Sequence, residues 1–368
     1  MARLGISIYP EHSTKEKDIE YIRLAGKYGF KRVFTCLLSI GKKTREELID
    51  EFRELIDVAH EEGMEVILDV NPVVFKDLGV SYDDLSLFSE IHADGIRLDE
   101  GFDGVKESLM TYNQGGLKIE LNASGGSGYL DNVMSNFPNK DKVITCHNFY
   151  PQRYTGLSLE HFNNCNKAMK EYGLHTAAFV SSNNNDTFGP WPVREGLCTL
   201  EMHRDLPIDL QVRHLFATRM IDDVMIGNAY ASEEELEACS KINPGILTFG
   251  IELDKELTEV EYEILYYKEN HANRGDVSEY MARSSAPRGT FANESIQKAN
   301  AVDMKRGDVV ILNDEYSRYK GELHIVLKDM PNDGRKNVIG HIPKEELFLL
   351  NYMEPRKIFT FKIGRASC

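Results

Sequence analysis

The sequence predicts an α/β protein, an eightfold β/α barrel of the TIM type followed by a smaller β-rich domain, and three observations carry this reading. Over the first two-thirds of the 368 residues, a short β-branched or apolar run, a polar turn and a helix-period stretch recur eight times. No Gly-x-Gly-x-x-Gly turn follows the first run, so a closed barrel fits better than an open dinucleotide-binding sheet. Past Asn243-Pro244-Gly245 the pattern changes to alternating segments separated by Gly, Asn and Asp clusters. At ~150 residues per domain the length has room for two or three domains, or one large barrel with an appendage.

The barrel strands are expected at 4–9, 32–37, 65–70, 95–98, 118–121, 142–146, 176–180 and 223–226. Between the second and third, Leu48, Phe52, Leu55, Ile56 and Ala59 recur at helical spacing among charged residues. Thr44 is placed to cap that helix, Glu47 to complete a capping box, and Gly63 to end it. The barrel domain is expected over 1–243 and the β-rich domain over 244–364, with 365–368 as a tail. Strands of the second domain are expected at 246–253, 308–312, 322–327, 337–342 and 357–363, forming a small barrel or sandwich. Asn332-Asp333-Gly334 signals a hairpin and 343–347 a single helical turn.

Composition narrows the function. Lys and Arg number 43 against 59 Asp and Glu, a formal charge of -16. Such a surface repels polyanions at long range, which argues against nucleic acid and anionic membrane as partners. A small anionic substrate is still allowed, because a few Arg side chains and backbone amides make a pocket locally positive. A hydrophobic content of 42% and a charged content of 28% describe a globular chain with a sizeable core. The six cysteines are scattered without a Cys-x-x-Cys pair, which suggests reduced, buried thiols rather than a disulfide framework or zinc site. No signal-peptide pattern or membrane-length apolar run occurs, and a cytoplasmic location is expected.

In a β/α barrel the chemistry sits where strands end. Here the strand ends carry Tyr9 and Glu11; Asp69 and Asn71; Arg97 and Asp99; Glu120 and Asn122; and His147 and Asn148. The long stretch before the eighth strand adds Arg194, Glu195, Glu201 and Arg204. Any one Asp or Asn at such a place is as readily a loop cap or an Asx turn as a reactive group. A single bland role does not explain their convergence. Several carboxylates and few histidines suit acid/base work on a sugar, with Asp99 and Glu11 as the favoured pair and Asp69, Glu120 and Glu201 as competitors. The alternative is a divalent-metal sugar-phosphate isomerase or aldolase, which uses similar rims but more histidine. A third reading makes the β-rich domain a binding module on an inert barrel.

The segments Gly5-Ile6-Ser7-Ile8-Tyr9-Pro10-Glu11, Leu68-Asp69-Val70-Asn71-Pro72, Gly95-Ile96-Arg97-Leu98-Asp99, Leu121-Asn122-Ala123-Ser124, Cys146-His147-Asn148-Phe149-Tyr150-Pro151 and Thr199-Leu200-Glu201-Met202-His203-Arg204 resemble those of the bacterial 6-phospho-N-acetylmuramidases. The resemblance spans the whole chain and implies a TIM barrel joined to a cyclophilin-like β-domain. It implies an exo-acting glycosidase of peptidoglycan recycling that needs no cofactor or metal. The implied substrate is a phosphorylated amino-sugar disaccharide, N-acetylmuramic acid 6-phosphate linked β-1,4 to N-acetylglucosamine. Tyr9, Asn71, Arg97, Asn122, His147, Asn148, Arg194, Glu195 and Arg204 are then expected to bind it. Arg283 and Ser284, in a basic, hydroxyl-rich stretch of the second domain that also includes Arg288, are expected to hold its phosphate or to form a solvated loop.

Overall fold

A computed structural model describes residues 2–37, 44–70, 75–76 and 78–363. The chain divides into two compact units, Met1–Ile242 and Asn243–Cys368.

The first unit is a closed eight-stranded parallel barrel, as the strand and helix alternation predicts. Its strands are β1 (Arg3–Ile8), β2 (Arg32–Leu37), β3 (Glu65–Val70), β4 (Gly95–Leu98), β5 (Lys118–Asn122), β6 (Val143–Cys146), β7 (His175–Val180) and β8 (Asp223–Ile226). Pairing runs in sequence order, and β1 closes the ring on β8 with Arg3 opposite Asp223. The helix between β2 and β3, Arg45–Glu61, starts at the Thr44–Glu47 capping box, and Gly63 follows it at φ +70°.

Because side chains alternate along a strand, each barrel strand presents one set to the helices and the other to the barrel axis. Val66, Leu68 and Val70, Ile96 and Leu98, and Ile119 and Leu121 all pack in the core shared with the helices. Their alternates, Asp69, Arg97 and Glu120, are therefore turned toward the axis, in matching register across β3, β4 and β5. Tyr9, Phe34, Cys36, Cys146, Phe179 and Met225 form a separate cluster. Glycine is required where strands press closest: a Cβ on Gly5 would lie 2.8 Å from the Arg32 carbonyl oxygen, and one on Gly95 2.7 Å from the Lys118 carbonyl oxygen.

The lower end of the barrel is held by charge. Arg32 bonds to Glu120 and, at 2.9 Å, to Asp223, all three side chains being fully buried. Asp223 also accepts from Arg3 at 2.6 and 2.7 Å and lies 2.8 Å from His175. These contacts hold the Asp223 carboxyl far below the usual range despite burial.

The second unit is a nearly closed, mostly β structure. Its strands are β9 (Leu247–Leu253), β10 (His271–Ala272), β11 (Met281–Ser284), β12 (Asp308–Leu312), β13 (Leu323–Val326), β14 (Lys336–His341) and β15 (Ile358–Ile363). The sheet order is β10-β15-β9-β14-β12-β13-β11, with β15 and β9 parallel and the other pairs antiparallel. Its outer strands approach each other, since the Arg274 amide donates to the Arg283 carbonyl at 3.0 Å just past β10.

Three expectations differ from the structure. Asn332-Asp333-Gly334 forms a turn, with Asn332 Oδ1 accepting from the Gly334 amide at 3.0 Å, but it makes no hairpin. The strands on either side, β13 and β14, each pair with β12, which lies between them. The stretch containing Arg283 and Ser284 is a strand rather than a solvated loop: it pairs with β13 from Met281 to Ser284. The helical turn expected at 343–347 runs further, as Lys344–Tyr352.

Candidate active site

Four of the residues expected at the strand ends meet in one cluster. Arg97, 3% exposed on β4, occupies its centre. Its Nη1 donates to Asp69 Oδ1 on β3 at 2.5 Å and to Asp99 Oδ1 at 3.1 Å, while Nη2 donates to Asn148 Oδ1 beyond β6. Asn148 is itself aimed by its neighbours: its amide donates to Ser124 Oγ at 2.9 Å, and its carbonyl accepts from Thr199 Oγ1 at 2.9 Å. Asp69, Arg97, Asp99 and Asn148 line a cavity of about 160 Å³ with Cys36, Phe149, Pro151, Phe179, Pro190 and Trp191.

The two aspartates differ in environment. The Asp69 side chain is 8% exposed and that of Asp99 48%. Burial pushes the Asp69 carboxyl up to about 6; Arg97 pulls it down and the charge of Asp99 raises it further. The Cys36 thiol donates to Asp69 Oδ2 at 3.6 Å and is itself pushed up by burial. Because both carboxylates contact one guanidinium nitrogen, at 2.5 and 3.1 Å, their nearest oxygens can be no more than about 5.6 Å apart, which is short of the ~6.5–9.5 Å of an inverting glycosidase pair.

The other expected carboxylates are placed elsewhere. Glu120 is fully buried against Arg32 at the barrel floor. Glu201 accepts from the amides of Tyr154 and Gly156, each at 2.8 Å, and from Arg204 at 2.6 and 2.7 Å. These donors, Arg204 first, hold the Glu201 carboxyl down at about 2, so the pair clips the 150–156 loop to the barrel. Arg204 spends its remaining Nη1 hydrogen bonds on the carbonyls of Tyr150, Glu195 and Gly196. Glu11 is exposed on the short turn Pro10–His12, which His12 ties to the Pro190 carbonyl at 3.0 Å.

Among the expected binding residues, His147 points away from the mouth. It is fully buried, packs against the Phe162 ring with centroids 4.6 Å apart in a tilted arrangement, and places its ring nitrogens 3.3 Å from Ser124 Oγ and 3.2 Å from Asn166 Oδ1. Burial lowers it to about 4. Tyr9 is 2% exposed and donates its hydroxyl to the Gly227 carbonyl. Asn122 closes an Asx turn on the Ser124 amide at 2.9 Å and reaches the Asp99 carbonyl at 3.3 Å. Arg194 and Glu195 line a second cavity, about 440 Å³, with Ser182, Asn183 and Asn228 beyond β7 and β8. In the second unit, Ser284 is fully buried and shares a 3.0 Å hydrogen bond with His271 Nδ1, while Arg283, its neighbour on the alternate face, lines a cavity of that unit. Asn71 lies outside the described residues.

Sequence reasoning passed over Trp191, Cys36, Phe149 and Phe179. Trp191 carried a usable signal as the only tryptophan of the chain, and it is half exposed at the cavity. The three others look like core residues, and only the closure of the barrel brings them to the mouth.

Family comparison reports 6-phospho-N-acetylmuramidase, N-terminal, over residues 4–241 and 6-phospho-N-acetylmuramidase, C-terminal, over 247–362. The chain belongs to the 6-phospho-N-acetylmuramidase family. It is thus a glycoside hydrolase, acting on a phosphorylated muramic substrate. Two solved structures extend the likeness over the full chain. An uncharacterized B. cereus protein is 50% identical, with a TM-score of 0.90 over 98% of this chain and 100% of that one. A conserved protein from Enterococcus faecalis is 26% identical, with a TM-score of 0.72 over 98% and 96%. No curated protein matches. Among the described residues of this 6-phospho-N-acetylmuramidase family member, no group of three or more His, Cys, Asp and Glu is placed to hold a metal ion. No described helix is long and apolar enough to cross a membrane.

Proposed function

We propose that the protein cleaves the β-1,4 bond between N-acetylmuramic acid 6-phosphate and N-acetylglucosamine at the Asp69–Arg97–Asp99 cluster, by a retaining mechanism. The observation that carries this is the division of labour around one guanidinium: a buried carboxyl raised to about 6 and an exposed carboxylate share Arg97 Nη1. Asp69, protonated, gives its proton to the glycosidic oxygen as the bond to C1 breaks and N-acetylglucosamine leaves. Asp99 attacks C1 from the opposite side and forms a glycosyl ester. Asp69, now a carboxylate, takes a proton from water, which displaces Asp99 and releases N-acetylmuramic acid 6-phosphate. Arg97 moderates the negative charge through both half-reactions, Asn148 offers an amide to sugar hydroxyls, and Trp191 offers an indole face to a pyranose ring.

The same reading puts the enzyme in peptidoglycan recycling in the cytoplasm. The five cysteines among the described residues are buried free thiols, which suits a reducing compartment. The deciding experiment is proton NMR of the first-formed product from a phosphorylated muramyl disaccharide. A β-anomer appearing first, with kcat lowered at least a thousandfold in Asp69→Asn and Asp99→Asn, is expected. An α-anomer appearing first, or parental activity in both variants, overturns the mechanism.

A further inference from the structure

The second unit concentrates positive charge in a chain of net charge -16. A cavity of about 660 Å³ there is lined by Arg274, Arg283, Arg288, Arg318 and Lys336, with Glu322 as the one carboxylate among its described lining residues. That carboxylate is already committed, 2.9 Å from Arg288 Nη1 and 3.0 Å from His324 Nε2. Outside the lining, Asp276 faces Arg274 at 2.7 Å and Arg283 at 3.3 Å, and Asp333 faces Arg335 at 2.5 Å and Lys336 at 3.9 Å. The cations therefore outnumber the carboxylates that face them. Arg318 is exposed and has no ion-pair partner among the described residues.

Two of the cations are held in place by aromatic rings. The Arg288 guanidinium lies 5.7 Å from the Tyr319 ring centroid and the Lys336 ammonium 5.2 Å from that of Tyr316. Lys336 is 13% exposed, and burial pushes its ammonium below the usual lysine range. A half-desolvated ammonium with its nearest carboxylate at 3.9 Å is what an entering anion stabilises. Guanidinium groups also offer paired N–H donors that match phosphate oxygens.

We propose that this cavity binds a phosphate monoester, with Arg283, Arg318 and Lys336 as its principal contacts. A free sugar phosphate, bound apart from turnover, supplies that chemistry.

The test uses the full chain and isothermal titration with N-acetylmuramic acid 6-phosphate, unphosphorylated N-acetylmuramic acid and inorganic phosphate. Arg318→Ala and Arg283→Ala are the variants, because Arg288 neutralises buried Glu322 and its loss would threaten folding. Tighter binding of the phosphorylated sugar, weakened at least tenfold in both variants at unchanged Tm, is expected. Equal affinity for the two sugars, or parental phosphate-dependent binding in both variants, overturns the proposal. Hydrolysis of the phosphorylated disaccharide by Arg318→Ala at the parental KM is expected, and a KM raised at least tenfold overturns the assignment to a free sugar phosphate. Phosphate binding lost in the variants of a chain that hydrolyses no muramyl disaccharide would sink the glycosidase reading and leave the cavity assignment standing.

Discussion

At the scale of single residues, position along a strand and burial decide what a carboxylate can do. Asp69, Arg97, Asp99 and Asn148 were legible in the sequence because each lies at a strand end and the first two occupy the inward phase. His147, Glu120 and Glu201 look equivalent in the sequence, yet their partners commit them to packing, to the barrel floor and to a loop clip. As the proton donor, Asp69 must be protonated, so kcat/KM is expected to fall as pH rises through about 6. Arg97 opposes the raised value, so Arg97→Gln should move that descending limb to higher pH; a pH–rate profile with no limb near 6 in the parent would remove Asp69 from the acid role. Asp18 shows the same physics outside the Arg97 cluster. Its carboxyl is buried, accepts from the Tyr230 hydroxyl at 2.7 Å and is raised to about 6. A folded value above the unfolded one stabilises fully below the unfolded value, and that stabilisation is lost as pH rises through about 6. Asp18→Asn should therefore gain stability relative to the parent between pH 5 and pH 8, by about 1–3 kcal/mol, as read from urea midpoints at the two pH values.

At the scale of elements, local pattern was a good guide where burial is one-sided and a poor one where pairing is remote. The barrel strands were legible because their β-branched runs are bounded by turns, and the Arg45–Glu61 helix because its cap residues are local. Strands β10 and β11 were not, since one has two residues and the other carries Arg283 and Ser284 in a stretch that reads as polar. The Asn332-Asp333-Gly334 turn was legible, but not that β12 separates the strands it joins, because that is decided by pairing across the sheet. The loop clip makes a separate prediction. Glu201→Gln weakens four hydrogen bonds and should cost about 1–3 kcal/mol near neutral pH. Glu201 is depressed to about 2, so its contribution is present above the unfolded carboxylate value and lost as pH falls through about 2. Denaturation curves of parent and variant should accordingly converge on acidification from about pH 5 to pH 2.

At the scale of the whole molecule, the barrel depends on buried charge as well as apolar packing. Arg32, Glu120 and Asp223 are fully buried, with Arg32 paired to both carboxylates. Arg32→Met removes the cation paired with buried Glu120 and one of those paired with Asp223 and should cost about 3–5 kcal/mol, whereas Lys15→Met, at an exposed pair with Glu54, should leave the denaturation midpoint nearly unchanged. Equal denaturation midpoints for the two variants would show that the floor cluster carries no such weight. The net charge of -16 is distributed on the same principle: carboxylates dominate the total, while cations gather in the second-unit cavity. By itself the sequence determined the α/β class, the eight strand and helix repeats, the change of pattern near residue 243 and the family resemblance. Each of these follows from local periodicity, turn chemistry or the identity of short segments. Tertiary structure alone decided which polar residues share a site. Asp69 and Arg97 are 28 residues apart, and Arg97 and Asn148 51 apart, and barrel closure brings them into contact while turning His147 outward. Hydrophobic period specifies which face a side chain takes, but contact between distant strands depends on register around the whole ring, which no local window contains.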